Sequence, residues 1–243
     1  MRRPIQEVLG TIRSFRDFYA FEEHVRNARR NRGLEIVPEW YDAPVFYFSN
    51  TASLYGPHAP IRKPPETHEL DYELELAVLI GQEGGNIPVE GADRYIAGFT
   101  ILNDWSARDI QRREMKVGLG PSKGKDFATS LGPDLVTPDE LEDRILPDRS
   151  RGHRYDLGMV ARVNGTEYSR GNAWTMHWTF AELIAHASRH TVLLPGDLIG
   201  SGTVGTGCIT EFPKGTYPWL QPGDVVELEI ERLGVLSNLV VAE

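Results

Sequence analysis

Short apolar or alternating runs, cut apart by glycine, proline and asparagine, restrict this chain more than any other feature. Residues 44–48, 70–80, 95–102, 155–163 and Val225–Ile230 carry strand patterning, and turn residues separate them. Two Pro-Gly-Asp turns, at Pro195 and Pro222, lead into Leu198 and Ile199 and into the alternating run Val225–Ile230. Helical signals are fewer. Ser14 stands three residues before Asp17, a variant of the capping box, and Phe18, Phe21, Val25 and Ala28 follow at helical spacing, which predicts a helix from Ser14 to near Gly33. Residues 173–189 predict a second. No fixed-period repeat, low-complexity tract or long polar linker divides the 243 residues, so the expectation is one β-rich α+β domain spanning 1–243.

A chain of this length can bury a stable core without disulfide help. Cys208 is the single cysteine, which rules out an intrachain disulfide and any zinc site built on paired thiolates, and a reducing cytoplasm fits that usage. The opening residues Met1 to Glu7 are charged and lack the apolar run of a signal peptide or membrane span. A net charge of −9 argues against a phosphate-backbone partner, since nucleic-acid affinity rests on clustered Lys and Arg. Arg26, Arg29, Arg30 and Arg32 lie close together, either as a solvated helix face or beside an anionic substrate.

The chemistry begins with Glu73 and Glu75. Strand periodicity puts them on one face, roughly 6 to 7 Å apart. A lone Glu-x-Glu is ordinarily the wet face of an amphipathic strand, but here the same face continues into Ala77 and Leu79. The strand then runs from solvent into the core, and glutamates at a partly buried mouth call for a cation. Asp104 closes the apolar run 96–102, and Ser106 with Asp109 reads as a helix start, so Asp104 sits at a strand-to-helix junction. Three carboxylates without a spaced His or Cys set favour hard oxygen coordination, hence Mg²⁺, Mn²⁺ or Ca²⁺. Gly202, Gly205 and Gly207 flank Thr203 without a Gly-Lys-Ser/Thr, which sets nucleotide binding aside.

Asp17-Phe18-Tyr19 followed by His24, Glu73-Leu74-Glu75, the run Asn103-Asp104-Trp105-Ser106-Ala107-Arg108-Asp109, Gly124-Lys125 and Ser201-Gly202-Thr203 together resemble the fumarylacetoacetate hydrolase family, bacterial members included. The resemblance implies a mixed β-sandwich roll of the fumarylacetoacetase C-terminal domain type, usually dimeric, without a separate N-terminal domain. It implies Mg²⁺ or a similar ion on Glu73, Glu75 and Asp104, with Asp17 as a further ligand. His24 would activate water, Glu211 would orient it, and Lys125 would assist catalysis. Tyr19, Tyr47, Arg108, Gln111 and Thr203 would contact substrate. On the expected helix, Asp17 and His24 would share one face about 10 Å apart. Met115 stands where the family has a substrate-binding tyrosine, and the family arginine falls nearest Arg32 with altered spacing.

The implied activity is hydrolysis of a carbon–carbon bond in a 1,3-diketo acid of the fumarylacetoacetate or acylpyruvate type, with the cation on the enolate oxygens and His24–Glu211 activating water. Isomerisation or decarboxylation of an unsaturated oxo-diacid such as 2-hydroxyhepta-2,4-diene-1,7-dioate would use the same site. A metal-binding protein without turnover is the reading from another class. The expected partner is a small oxo-acid or diketo-acid; no nucleic acid and no membrane are expected, and the chain is expected to pair as a homodimer.

Overall fold

Leu74-Glu75-Leu76-Ala77-Val78-Leu79-Ile80 presents apolar groups on both faces, and such a strand needs cover on both sides. The computed structural model describes residues 2–243 and places this strand in the middle of a mixed sheet. Strands of four residues or more are β1 (Ser14–Phe18), β2 (Phe46–Ser49), β3 (Leu74–Ile80), β4 (Ile96–Asp104), β5 (Thr129–Val136), β6 (Gly158–Val163), β7 (Thr166–Asn172), β8 (Asp197–Thr203), β9 (Val225–Ile230) and β10 (Gly234–Val241). Helices α1 (Glu22–Arg30), α2 (Arg108–Glu114) and α3 (Phe180–Ala187) accompany them. The larger sheet runs β5-β4-β3-β8-β1-β2, antiparallel except for the β8–β1 pair. A second sheet runs β7-β6-β9-β10 and packs on the first, β9 against β4 and β10 against β5.

Two apolar cores follow from alternation along the central strand. Leu74, Leu76, Val78 and Ile80 point into the layer shared with the second sheet and α3. Ala77 and Leu79 point the other way, under Ile5, Val8 and Ile12. This is the β-rich α+β architecture expected from the sequence.

Several local expectations change. Ser14–Phe18 is a strand, because it pairs parallel to Asp197–Gly200 and antiparallel to β2, and Phe15 and Phe18 divide between the two cores. Ser14 Oγ donates to Asp197 Oδ1 (2.8 Å) instead of capping a helix. The helix starts at Glu22, so Asp17 and His24 do not share a helix face. Residues 173–189 form a 3-10 turn at Ala173–Thr175 and an α-helix only over Phe180–Ala187, where Thr179 and Glu182 make a reciprocal capping box. The 70–80 run is also broken: Leu70–Asp71 pairs with Ser106–Ala107, and the β4 ladder begins at Leu74, leaving Glu73 in the gap.

Candidate active site

Adjacent strands of the larger sheet carry an almost continuous row of polar groups. Asp17 on β1 lies opposite Tyr47 on β2 and Gly200 on β8, Glu75 on β3 lies opposite Thr203, and Asp104 ends β4. Ligand oxygens of Asp17, Glu75 and Asp104 all come within 4.8 Å of one another, and all three residues are buried. Gly200 permits this approach: a Cβ there would stand 2.4 Å from Asp17 Oδ1 and 3.2 Å from Glu75 Oε2. Gly202, at φ +78°, turns the chain so that its N–H donates to Glu75 Oε2 (3.1 Å). Thr203 Oγ1 reaches Glu75 Oε1 at 3.4 Å.

Glu73 stands beside this cluster. Its Oε1 pairs with Arg108 Nη2 (2.7 Å) and its Oε2 with Lys125 Nζ (2.6 Å), which also contacts Asp104 Oδ2 (2.5 Å). The break before β3 explains the placement, since period-two geometry does not extend back to residue 73. Arg108 is further held by Asp71 Oδ2 (2.9 Å), and Gln111 Oε1 accepts from its Nη1 (3.1 Å). Tyr47 donates its hydroxyl to Asp104 Oδ2 and faces Asp17 Oδ2 at 3.2 Å.

The electrostatics favour a cation here. Burial, then repulsion from Asp104, pushes the Asp17 carboxyl well up; burial, then Asp17, does the same to Glu75; burial also raises Asp104 against the pull of Lys125. Glu73 is opposite in sign: burial raises it, but Lys125 and Arg108 outweigh that and hold it below the usual carboxylate range. Among the described residues, Asp17 Oδ1 and Asp104 Oδ1 are buried without a hydrogen-bond partner. Unneutralised buried carboxylates cost on the order of several kcal/mol each. All-oxygen donors, orphaned lone pairs and a glycine-lined cradle fit a hard divalent ion such as Mg²⁺, Mn²⁺ or Ca²⁺.

A second constellation joins α1 to the turn Ile209–Glu211. His24 Nδ1 lies 2.7 Å from Glu211 Oε1, and both side chains are buried. Glu211 Oε2 accepts from Asn27 Nδ2 (3.1 Å) and Thr206 N (2.7 Å). A carboxylate against Nδ1 fixes the imidazole with its proton there and leaves Nε2 as the acceptor. The Tyr19 ring meets His24 edge-on at 5.2 Å, and burial pushes its phenol up to about 12. An open cleft of about 430 Å³, lined by Tyr47, Ser49, Asn50, Ser122 and Lys125 among others, adjoins the acidic cluster, and its volume suits a small molecule.

The structure thus brings Asp17, Glu75 and Asp104 together, seats His24 on Glu211, and gathers Tyr47, Lys125, Arg108 and Thr203 around them. Gln111 backs Arg108. The arginine run forms the solvated face of α1 and its extension: Arg26 pairs with Glu22, and Arg32 Nε donates to the Ala28 carbonyl. Met115 is 46% exposed in the turn after α2. Sequence reasoning missed three positioning groups. Asp71 also accepts from the Ile209 and Thr210 amides (2.8 and 3.1 Å), tying the Glu211 turn to Arg108. Its place as a third acidic residue in the same 70–80 run as Glu73 and Glu75 was a usable signal. Asn27, one turn after His24 on α1, was another. Glu114 accepts from the amides of Ser122, Lys123 and Gly124 (2.8, 2.9 and 3.1 Å) and so presents Lys125; nothing in the sequence pointed to it.

Comparison with known proteins follows the same lines. Residues 13–241 match the family model described as fumarylacetoacetate (FAA) hydrolase, C-terminal. Oxaloacetate tautomerase Fahd2a, mitochondrial, of Rattus norvegicus is 38% identical over 201 residues, covering 82% of this chain and 59% of that protein. FAHD2A of Homo sapiens, of the same designation, is 39% identical over 202 residues with the same coverage. The chain therefore spans under two thirds of these relatives' length. Among solved structures, fumarylpyruvate hydrolase from Pseudomonas aeruginosa, in complex with Mn²⁺ and pyruvate, superposes with a TM-score of 0.77 at 25% identity, covering 96% of this chain and 91% of that one. A probable 2-hydroxyhepta-2,4-diene-1,7-dioate isomerase from Mycobacterium abscessus gives 0.75 at 26% identity, covering 97% and 77%. No helix among the described residues is long and apolar enough to cross a membrane.

Proposed function

Because the chain belongs to the fumarylacetoacetate hydrolase family, we propose that it is a divalent-metal-dependent enzyme that moves a proton on a small 2-oxo acid, with keto–enol tautomerisation of an oxaloacetate-type diacid as the leading reaction. The observation that carries this reading is an acidic, cation-demanding cluster joined to a His24–Glu211 dyad through Glu73, Arg108 and Asp71, whose carboxylate accepts from the Ile209 and Thr210 amides beside Glu211. The named relatives, tautomerases at 38 and 39% identity, support the choice of substrate class.

Asp17, Glu75 and Asp104 would hold the cation, with Glu73 next to them. When bound, a divalent ion supplies positive charge beside the oxo-acid oxygens and lowers the cost of negative charge developing there. His24 Nε2 accepts the proton from the substrate carbon and returns it to oxygen. Glu211 keeps the imidazole in the competent tautomer and stabilises its charged form. Lys125 and Arg108 supply donors for a substrate carboxylate, and Tyr47 holds Asp17 and Asp104 in register.

A second reading is hydrolytic cleavage of a 1,3-diketo acid, favoured by the same dyad, which can equally take a proton from water. It matches the named activity of the Pseudomonas aeruginosa hydrolase. The test is turnover of oxaloacetate enol, fumarylpyruvate and acylpyruvates by the wild type and His24→Ala, with Mg²⁺ and with Mn²⁺. Enol-to-keto conversion that falls by about 10² to 10⁴ in the variant supports the leading reading. Carbon–carbon cleavage without tautomerisation replaces it with the second, and full activity in His24→Ala removes His24 from either.

A further inference from the structure

Cys208 sits at the dyad and has no part in the chemistry proposed above. Its thiol is fully buried, with Sγ 3.4 Å from Glu211 Oε1 and 4.0 Å from His24 Nδ1. His24, Cys208 and Glu211 therefore offer nitrogen, sulfur and oxygen to one point at the seam between α1 and the turn Ile209–Glu211. A thiol, an imidazole and a carboxylate form the donor set of borderline-soft metals, whereas the all-oxygen cluster on the sheet suits hard ones.

The distances can be compared with a tetrahedral site. Ligand lengths near 2.3 Å to sulfur and about 2.0 Å to nitrogen and oxygen imply edges of roughly 3.3 to 3.6 Å. The observed edges are 3.4 Å for sulfur to oxygen, 4.0 Å for sulfur to nitrogen and 2.7 Å for nitrogen to oxygen. Each is within about 0.6 Å of what the ion needs, a shift that side-chain rotation supplies. Glu211 Oε2 is already held by Asn27 and the Thr206 amide, which leaves Oε1 as the oxygen presented to the centre.

We propose that Cys208, His24 and Glu211 form a second metal site, for a cation of the Zn²⁺ class, whose occupation takes the dyad out of service. On binding, the thiol loses its proton to solvent and the sulfur–metal bond forms in its place. The imidazole proton moves from Nδ1 to Nε2 as Nδ1 becomes a ligand. One thiolate and one carboxylate balance the dication, so the buried centre is neutral overall, the arrangement least costly in a low-dielectric interior. With Nε2 protonated, His24 can no longer accept a proton. Zn²⁺ should inhibit without competing for the acidic cluster, and excess Mg²⁺ should not reverse it.

Cobalt is the probe, because a thiolate–Co²⁺ bond gives a near-ultraviolet charge-transfer absorption that carboxylate ligation does not. Cys208 is the sole cysteine, so any such band reports this site. The wild-type protein, in saturating Mg²⁺, is titrated with Co²⁺ and then with Zn²⁺. The expected result is a band that saturates at one equivalent and is bleached by Zn²⁺, absent in Cys208→Ser, and shifted to at least tenfold higher Co²⁺ concentration, about 1.4 kcal/mol, in Glu211→Gln. Absence of the band from wild-type protein, whatever the folding of the variants, overturns the proposal and leaves the acid–base role of His24 and Glu211 untouched. A band unchanged in Glu211→Gln overturns the ligand set.

Discussion

Replacing Glu211 by glutamine removes a charge without removing a shape, and the surrounding donors dictate how the amide sits. Asn27 Nδ2 and Thr206 N both donate to Oε2, so the glutamine oxygen must occupy that position. Its NH₂ then takes the place of Oε1, 2.7 Å from His24 Nδ1. Two donors cannot face each other, so Nδ1 gives up its proton and the imidazole carries it on Nε2 instead. The loss of a charge-assisted bond is worth about 1.5 to 3 kcal/mol, a factor of roughly 10 to 150. Tautomer reversal adds to it, and removal of a positioned base altogether costs about 10² to 10⁴. We expect turnover of the oxo-acid substrate to fall about 10²- to 10³-fold in Glu211→Gln, with Mn²⁺ affinity measured by calorimetry unchanged. Nitrogen NMR on histidine-labelled protein should show the proton moving from Nδ1 to Nε2. Wild-type turnover in the variant, or retention of the Nδ1 proton, would refute the argument.

Four further outcomes follow from the site geometry. Tyr47→Phe removes the hydroxyl that holds Asp104 and Asp17 and should weaken Mn²⁺ binding about 10- to 100-fold in calorimetry, as loss of a group supporting metal ligands does; unchanged affinity would remove Tyr47 from the site. Gly200→Ala places a methyl against Asp17 Oδ1 and should lower stability by about 1 to 3 kcal/mol in urea unfolding, with loss of tight metal binding; an alanine variant that binds normally would contradict the cradle. Lys125→Met strips the cation from Glu73 and Asp104 and should destabilise the metal-free protein by about 3 to 5 kcal/mol, a loss that saturating Mn²⁺ reduces; equal losses with and without metal would disprove the shared electrostatics. The raised carboxyls of Asp17 and Glu75 stay protonated in the folded protein at pH values where the unfolded chain has already released those protons. Their contribution to metal-free stability is therefore full below the ordinary carboxylate range and is lost as pH rises through the folded values. Metal binding should release protons and remove this loss, which thermal unfolding against pH with and without Mg²⁺ will show; identical profiles would contradict it.

The sequence was most readable where neighbouring residues decide the outcome. Val225–Ile230 alternates and is a strand over those same residues, and Asp104 ends its strand as the apolar run before it indicated. Glu75 was singled out by spacing, while Asp17, His24 and Glu211 were singled out by the family resemblance. Failures occurred where distant contacts win. Ser14–Phe18 has a helix-like start, but pairing with β8, residues away in the last third of the chain, overrides it. Glu73 breaks the period because Leu70–Asp71 is recruited by Ser106–Ala107. Asp71 serves two amides at Ile209 and Thr210, a partnership across 138 and 139 residues that no local pattern announces.

The parallel pairing of β1 with β8 has a consequence for how the protein comes to exist at all. Asp17 takes its place opposite Gly200, so the acidic cluster joins one of the earliest strands to one of the latest. During synthesis, at about 5 to 20 residues per second, the N-terminal strand emerges well before its partner. It must remain unpaired on that edge until residue 197 and those after it are available. Closing so long a loop is slow relative to local hairpins. A divalent ion that bound only the closed cluster would therefore stabilise the finished fold over forms in which this pair is still open, and its concentration would set how far that pairing is pulled to completion.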